Sequence, residues 1–396
     1  MSTAARPLCV VQEAEVSVVI PCLNEADTLA VCIRKAIAAM EQNGISGEVI
    51  VADNGSTDSS VEIARREGAR VVPVTTRGYG AALMGGIDAA HGRFIVMGDA
   101  DASYDFSEIP RFVEQLRQGF DLVQGCRLES GGGHVLPGAM PFLHRWLGNP
   151  LFSALARRWF RASVNDIYCG LRGFTRELIP RLEQRCTGME FATEMVIKAS
   201  LVNARICEVP ITLHPDGRRT HAPHLKTFRD GWRTLRFFLL YCPRQLFLIP
   251  GLVLMALGLV GYSLALPGLT VGRVTFDAHT LLFASLAVIS GYQSVSFAIF
   301  AKTFAIIEGL LPSDSRLERF RHVVTLERGV LSGAAAAGLG LSLLLLAVGQ
   351  WRLRHFGSLN YAETMRLVVP GVTVTVLGFH TILGCFFLSL LDLRRR

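Results

Sequence analysis

The carboxylates of Asp99 and Asp101 are the densest chemical signal in the chain. They stand two residues apart in Gly98-Asp-Ala-Asp-Ala-Ser-Tyr-Asp105, directly after the apolar run Arg93-Phe-Ile-Val-Met97. Two carboxylates at a strand end can reach one divalent cation together with a diphosphate, because hard cations such as Mg2+ or Mn2+ take carboxylate and phosphate oxygens. Such a cation neutralises the charge that builds on a departing diphosphate. A lone D-x-D also occurs in solvated turns, so its position matters more than its spelling. Glu25 and Asp53 also follow apolar runs, and their oxygens could accept hydrogen bonds from ribose hydroxyls or a base N–H. Arg77-Gly-Tyr-Gly80 opens a helical stretch; its glycines would let backbone approach a ligand, and Arg77 could meet a phosphate. Asn54-Gly-Ser-Thr-Asp58 serves equally well as a turn and a helix cap. Leu83 stands where a dinucleotide fingerprint needs its third glycine, which excludes a nicotinamide-dependent dehydrogenase.

These groups need a scaffold, and the apolar patterning supplies one. Short β-branched runs at 16–20, 48–52, 70–74 and 93–97 read as buried strands. Helical spacing over 24–40, 60–68 and 79–90 separates them, which predicts a doubly wound α/β domain. Ligands bind such sheets beyond the carboxyl ends of the strands, where Asn24–Glu25, Asp53–Asn54 and Asp99–Asp101 all fall. Residues 119–208 continue the domain in less regular order, Gly131-Gly-Gly133 reads as a mobile loop, and 208–213 as a further short strand. The stretch 226–244 mixes Lys, Arg, Trp232, Phe237, Phe238 and Tyr241, the pattern of an amphipathic helix in a membrane interface.

Composition divides the 396 residues in two. Up to about Tyr241 the mixture is that of a globular protein. Beyond Leu246 four apolar stretches follow, at 246–267, 278–304, 329–350 and 367–391, each reaching the roughly 20 residues a bilayer-crossing helix needs. Arg316, Arg319, Arg321 and Arg328 between the second and third stretches, and Arg394-Arg-Arg396 at the end, favour cytosolic placement of both termini. Arg352, Arg354 and Arg366 fit that placement less well. Lys302 and Glu308 read as residues already at the interface. A net charge of +7 could point to nucleic acid, but the basic residues flank apolar spans, so an anionic membrane is the expected partner. Nine cysteines without metal spacing read as reduced, buried and unpaired by disulfides. Residues 1–15 lack the apolar core of a secretory signal. The expected organisation is a tail (1–15), a catalytic domain (16–225), an interfacial helix (226–245) and four spans (246–396). A homo-oligomer is left open.

Taken in order and spacing, Val18-Val-Ile-Pro-Cys-Leu-Asn-Glu25, Val51-Ala-Asp-Asn-Gly-Ser-Thr-Asp58, Arg77-Gly-Tyr-Gly-Ala-Ala82 and Asp99-Ala-Asp101 resemble the motifs of family 2 glycosyltransferases. The resemblance covers about 16–241 and is nearest to dolichyl-phosphate mannose or glucose synthases and their bacterial polyprenyl-phosphate relatives. It implies a GT-A fold, a nucleotide-sugar donor and a metal held by Asp99 and Asp101. Pro21, Leu23, Asn24, Glu25 and Asp53 match nucleotide-binding positions, joined by Arg77, Gly80 and Ala100. Gln124-Gly-Cys-Arg127 matches a segment whose arginine faces the acceptor phosphate. Asp166-Ile-Tyr-Cys-Gly-Leu-Arg-Gly-Phe174, with Asp166 and Arg172, matches a segment near the sugar, and Gly188-Met-Glu-Phe-Ala-Thr-Glu194 a helix start bearing Glu194. Arg218 and Arg219 match a basic loop that closes over diphosphates. The sequence departs from the family at Asn54, Tyr79 and Ser103, where a second aspartate, a lysine and a third metal ligand are common.

A polyisoprenyl phosphate is already an anion and needs no general base; it needs cations that let two anionic groups approach. Arg127, Arg145, Arg218 and Arg219 are the expected cations, with Asp101 completing the catalytic set. His144, His221 and His224 read as surface or membrane-facing. Direct displacement would invert the anomeric centre. Two other functions fit less of the pattern. Transfer to a lipid hydroxyl would require a base, with Glu194 or Glu190 as candidate. A non-catalytic scaffold would have no use for the Asp99–Asp101 pair. UDP-glucose and GDP-mannose both remain open as donors, with glucose favoured.

Overall fold

The computed structural model describes residues 14–218 and 227–393, and the chain divides into two compact units, 1–238 and 239–396. Arg219, His221, His224, Lys226 and the terminal Arg394-Arg-Arg396 lie outside the described residues.

In the first unit β1 (Val16–Cys22), α1 (Leu29–Gln42), β2 (Gly47–Asp53), α2 (Ser60–Arg66), β3 (Arg70–Pro73), α3 (Tyr79–Asp88) and β4 (Phe94–Met97) follow one another as strand and helix by turns. β1 is buried along its whole length, which is why it carries no alternation. The order of the seven-stranded sheet is β3-β2-β1-β4-β7-β5-β8, with α4 (Ile109–Arg117) leading to β5 (Leu122–Cys126). Pairing of β1 with β2 sets Cys22 beside Asp53, and pairing with β4 sets Val19 beside Met97. The ends of all three strands therefore open on one edge, and the loops after them share it.

The second half departs from a simple doubly wound sheet. After β6 (His134–Val135) and α5 (Asn149–Phe160), β7 (Arg172–Thr175) enters antiparallel between β4 and β5. Then follow α6 (Leu178–Leu182), α7 (Phe191–Leu201), β8 (Ile206–Pro210) and β9 (Thr212–Leu213), so the run at 208–213 forms two strands. β9 pairs with β6 away from the main sheet. The expected helix at 24–40 begins later, at Leu29: Asn24 takes a left-handed φ of 59°, and a turn over 26–28 leads into the helix. The Gly131-Gly-Gly133 run packs tightly, since a Cβ on Gly133 would lie 2.1 Å from the carbonyl oxygen of Cys126. Glycine here answers a close approach of backbone.

A helix, α8 (Thr227–Tyr241), forms where the amphipathic stretch predicts one. Phe237 and Phe238 are buried, however, and the Phe238 ring meets Phe152, Trp159 and Phe160 edge-on at 5.9, 6.2 and 5.4 Å. These two aromatics serve the protein interior, where the sequence pattern had placed them in an interface.

The second unit holds α9 (Ile249–Ala265), α10 (Ala278–Ile307), α11 (Ser315–Val323), α12 (Leu326–Leu353) and α13 (Tyr361–Leu393). Four helical segments, Arg244–Ala265 and α10, α12 and α13, are long and apolar enough to cross a membrane. They match the four expected stretches to within a turn or two at each end. Glycines let them pack in pairs: a Cβ on Gly291 would sit 2.6 Å from the Gly251 carbonyl oxygen, and one on Gly378 2.5 Å from that of Gly333. Thr373 hydroxyl oxygen lies 2.7 Å from that of Tyr262 and 2.5 Å from that of Ser285, a polar link between α9, α10 and α13. Lys302 pairs with Asp314, so its charge is matched at the end of α10. All eight cysteines among the described residues are free thiols.

Candidate active site

The loops after β1 and β2 are stitched together by hydrogen bonds. Asn24 N–H donates to Ser56 Oγ at 3.0 Å, Glu25 N–H to Ser60 Oγ at 2.9 Å, and Thr57 N–H to Asn24 Oδ1 at 2.8 Å. Asp58 accepts from the N–H groups of Ser60 and Ala26, the capping duty its sequence context suggests. Asp53 accepts from the N–H groups of Gly55 and Ser56, so its carboxylate also shapes its own turn. Pro21 stands one residue before the end of β1, opposite Ala52, and Leu23 follows the strand directly.

Asn54 explains one departure from the family pattern. Its amide donates to the carbonyls of Val74 and Thr76 at 3.1 and 2.7 Å, while its Oδ1 accepts from Gly78 N–H at 2.8 Å. An aspartate has no proton to donate there. Arg77 donates to the Asn54 carbonyl and is otherwise exposed. Gly80 meets protein where a ligand was expected: a Cβ on it would lie 2.4 Å from the Cys186 carbonyl oxygen.

The strand end after β4 gathers most of the charge. Tyr79 hydroxyl donates to Asp99 Oδ1 at 2.8 Å. Asp101 Oδ1 accepts from Ser103 through its N–H at 3.0 Å and its hydroxyl at 2.6 Å. Ala100, between the two aspartates, is buried and its carbonyl faces Cys32 Sγ. Gly170 packs so closely that a Cβ on it would lie 2.8 Å from Asp99 Oδ2. Burial, and then the negative charge of Asp101, push the Asp99 carboxyl up to about 6, against the pull of the Tyr79 hydrogen bond. Two carboxylates side by side at one strand end suit a shared cation. Among the described residues no group of three or more His, Cys, Asp or Glu side chains gathers for a metal. Asp99 and Asp101 could offer two protein oxygens to a hard cation that also takes diphosphate oxygens.

Arg218 is brought to this edge by backbone. Gly217 N–H donates to the Asp101 carbonyl and His214 N–H to that of Ser103. The Arg218 guanidinium then grips Glu25 through Nε at 2.9 and 3.0 Å and Nη2 at 2.8 Å, with Asp101 Oδ2 3.5 Å away and Asp216 on its other side at 2.9 Å. Burial opposes its charge, but Glu25, Asp101 and Asp216 outweigh that and hold it more firmly protonated than a free arginine.

Four residues expected near the acceptor are turned inward. Asp166 is fully buried and takes a two-pronged ion pair from Arg127, at 2.7 and 2.9 Å, together with the Arg127 N–H. Arg172 is also fully buried; its guanidinium donates to the carbonyls of Ala192 and Cys169, and its Nε has no partner. Glu194, equally buried, pairs with Lys198 at 2.9 Å and accepts from the N–H groups of Arg185 and Cys186. These carboxylates and this arginine are consumed by interior contacts, because a buried charge requires a partner. Arg127 keeps a narrow opening, with Nη1 3.4 Å from the Tyr104 hydroxyl, which itself accepts from Gly170 N–H at 2.8 Å. Arg145 lies on the surface, paired with Glu129 at 2.6 Å. Tyr104 was missed in the sequence as a site residue; only its nearness to the D-x-D could have pointed to it, whereas Ser103 stood out as a departure from the family and holds Asp101.

An α/β sheet whose strand-end loops carry paired carboxylates and a facing arginine, followed by membrane-length helices, is also what the sequence comparisons find. The chain belongs to glycosyltransferase family 2. The family 2 glycosyltransferase domain matches residues 17–182, and the family's C-terminal transmembrane region matches residues 299–392. The chain is 38% identical over 375 residues to the low-salt glycan biosynthesis hexosyltransferase Agl6 of Haloferax volcanii, spanning 94% of this chain and 88% of that one. A dolichyl-phosphate hexose transferase of the same organism is 34% identical over 46% of this chain and 76% of its own. An undecaprenyl-phosphate 4-deoxy-4-formamido-L-arabinose transferase of Edwardsiella ictaluri is 34% identical over 50% of this chain and 59% of its own. Among solved structures, glucosyl-3-phosphoglycerate synthase from Mycobacterium tuberculosis, crystallised with Mn2+, UDP and glucosyl-3-phosphoglycerate, aligns with a TM-score of 0.46 at 24% identity, over 58% of this chain and 80% of that one. The chain is therefore a membrane glycosyltransferase, with its α/β glycosyltransferase domain preceding the membrane-length helices.

Proposed function

We propose that this enzyme transfers a hexose from a nucleotide-sugar of the UDP-glucose or GDP-mannose type to a polyisoprenyl phosphate, such as undecaprenyl or dolichyl phosphate, at the cytosolic face of the membrane. The observation that carries this reading is the cluster of Asp99, Asp101, Glu25 and Arg218 on one sheet edge. The names of the dolichyl- and undecaprenyl-phosphate relatives support the acceptor class.

In this mechanism Glu25 and Asp53 face the nucleoside, while Asp99 and Asp101 would hold Mg2+ or Mn2+. The cation, when bound, offsets the charge on the leaving diphosphate. A phosphate oxygen of the lipid forms a bond to the anomeric carbon as the bond from that carbon to the donor diphosphate breaks, and the nucleoside diphosphate leaves. No proton has to be removed. Direct displacement inverts the anomeric centre, so an α-linked donor yields a β-linked lipid. Arg218 supplies positive charge next to Asp101, and Arg219 beside it in sequence is assigned the same task. Arg127, held rigid by Asp166, offers its Nη1 edge, and Arg145 a surface charge. Asp166, Arg172 and Glu194 then act by shaping the walls.

Transfer to a lipid hydroxyl would need a general base. The burial of Glu194 and its pairing with Lys198 count against it in that role. An acceptor panel tests the choice. Product is expected with undecaprenyl phosphate and a β-linkage in it; product with diacylglycerol or ceramide alone, or an α-linkage, would overturn the reading.

A further inference from the structure

Glu194 and Lys198 lie one turn apart on α7, with exposures of 0% and 4%. Lys198 Nζ meets Glu194 Oε1 at 2.9 Å and donates to the Glu183 carbonyl at 2.6 Å. Glu194 Oε2 accepts from the N–H groups of Arg185 and Cys186 at 3.1 and 2.9 Å. One buried pair therefore holds the backbone of 183–186. Apolar side chains of the same volume would stabilise an interior as well. They could not fix these amides.

The segment held in this way clamps the start of α3. Its next two carbonyls, those of Cys186 and Thr187, face that helix. The Thr187 carbonyl accepts from Ala81 N–H at 3.1 Å. That N–H belongs to the first turn of α3, whose donors find no partner inside the helix, and Gly78 before it has no side chain to cap them. The approach is close. A Cβ on Gly78 would lie 2.2 Å from the Thr187 carbonyl oxygen, and one on Gly80 2.4 Å from that of Cys186. Both glycines of Arg77-Gly-Tyr-Gly80 thus answer to this clamp. Tyr79 stands between them, and its hydroxyl donates to Asp99 Oδ1 at 2.8 Å. A side chain delivers its polar end only as accurately as its backbone is held.

We infer that Glu194 is a positioning residue for Asp99. It sets the 185–187 turn, that turn sets the start of α3, and Tyr79 carries the placement to the carboxylate. The inference rests on the reading of Asp99 as a ligand of the divalent cation. Groups that orient a metal ligand from behind change metal affinity by about 10-fold or more. In this role Glu194 needs no contact with cation or substrate.

Two readouts on the full chain in detergent test it, both without turnover. Amide hydrogen exchange, followed by mass spectrometry, reads the clamp with no metal present. Electron paramagnetic resonance of free Mn2+ reads its consequence. Glu194→Gln, which sets an amide donor against the Lys198 ammonium, should speed exchange over 78–82 and weaken Mn2+ binding by about 10-fold. Gly80→Ala keeps the ion pair but forces the two segments apart, and should do the same. In Tyr79→Phe/Glu194→Gln the hydroxyl is already gone, so Mn2+ should bind no more weakly than in Tyr79→Phe alone, the non-additivity of residues that act through one another. A double variant that loses the full effect of both single changes would make Glu194 merely structural and overturn the inference. Unchanged exchange over 78–82 in Glu194→Gln, or faster exchange with unchanged Mn2+ affinity, would also overturn it. Asp99→Asn separates these failures from that of the underlying reading. It should abolish tight Mn2+ binding; wild-type affinity in that variant would remove Asp99 as a ligand, and the inference with it.

Discussion

Arg218 closes on Glu25 with three donor–acceptor distances of 2.8–3.0 Å, and the same guanidinium stands 3.5 Å from Asp101. One arginine thus spans the proposed nucleoside side and the proposed metal side of the site. Arg218→Ala should lower kcat by about 100-fold or more, the usual scale for losing a preorganised charge at a reacting centre. Arg218→Lys should recover only part of it, because an ammonium cannot make the two-pronged grip on Glu25. Steady-state kinetics with varied donor and lipid measure both. Equal activity in all three proteins would remove Arg218 from the mechanism.

The Tyr79–Asp99 hydrogen bond replaces the lysine that relatives often carry. It fixes one oxygen of Asp99 and leaves the other beside Gly170. Tyr79→Phe should weaken Mn2+ binding by about 10-fold, the lower end for losing a partner that orients a metal ligand. Electron paramagnetic resonance of free Mn2+ reads this without any turnover. Unchanged Mn2+ affinity would mean that the tyrosine is only packing.

The ion pair between Arg127 and Asp166 has side-chain exposures of 10% and 0%. Removing one member of such a pair strands the other charge in the interior. Asp166→Asn should destabilise the catalytic unit by about 3–5 kcal/mol. Denaturant unfolding of the full chain in detergent, followed by far-UV circular dichroism, checks it. A change under 1 kcal/mol would show that water reaches Arg127 more freely than its burial implies.

Much of this site was legible because strand ends are legible. The β-branched runs that form β1, β2 and β4 are short and bounded, so the sequence alone puts the carboxylates that follow them on one edge. The four membrane helices were equally plain, since length and apolarity decide them. What could not be read was tertiary commitment. Asp166, Arg172 and Glu194 look in sequence like ligands for something mobile, and only the packed interior reveals that backbone groups and buried partners hold them. β7 was missed because its four residues include Arg172 and Gly173, which spoil any strand pattern, and its antiparallel entry leaves no local mark.

Glu48 ties the β1–β2–β3 side of the sheet through Ser17, Arg70 and the His91 N–H. Burial works against its charge, but His91 N–H, Arg70 and Ser17 together hold its carboxyl below the ordinary range. A carboxyl lowered in the folded state contributes stability that is fully present above its unfolded pKa and is lost as pH falls through the folded one. Thermal stability should therefore drop as pH is taken below about 4.3, the ordinary glutamate value. Glu48→Gln should lie below wild type near neutrality, and the gap should narrow in acid. A gap that stays constant with pH would show that the charge of Glu48 has no part in it.

The central claim is that Asp99 and Asp101 support transfer of a sugar to a lipid phosphate. Purified full-length enzyme is incubated with undecaprenyl phosphate and radiolabelled UDP-glucose or GDP-mannose, with Mg2+ or Mn2+, beside the Asp101→Ala variant and a chelator control. Label is predicted to move into the lipid extract with one of the donors, and to stay in the aqueous phase for the variant and with chelator. Transfer that survives both Asp101→Ala and chelation, or no transfer to the lipid phosphate from any nucleotide-sugar, would contradict the account.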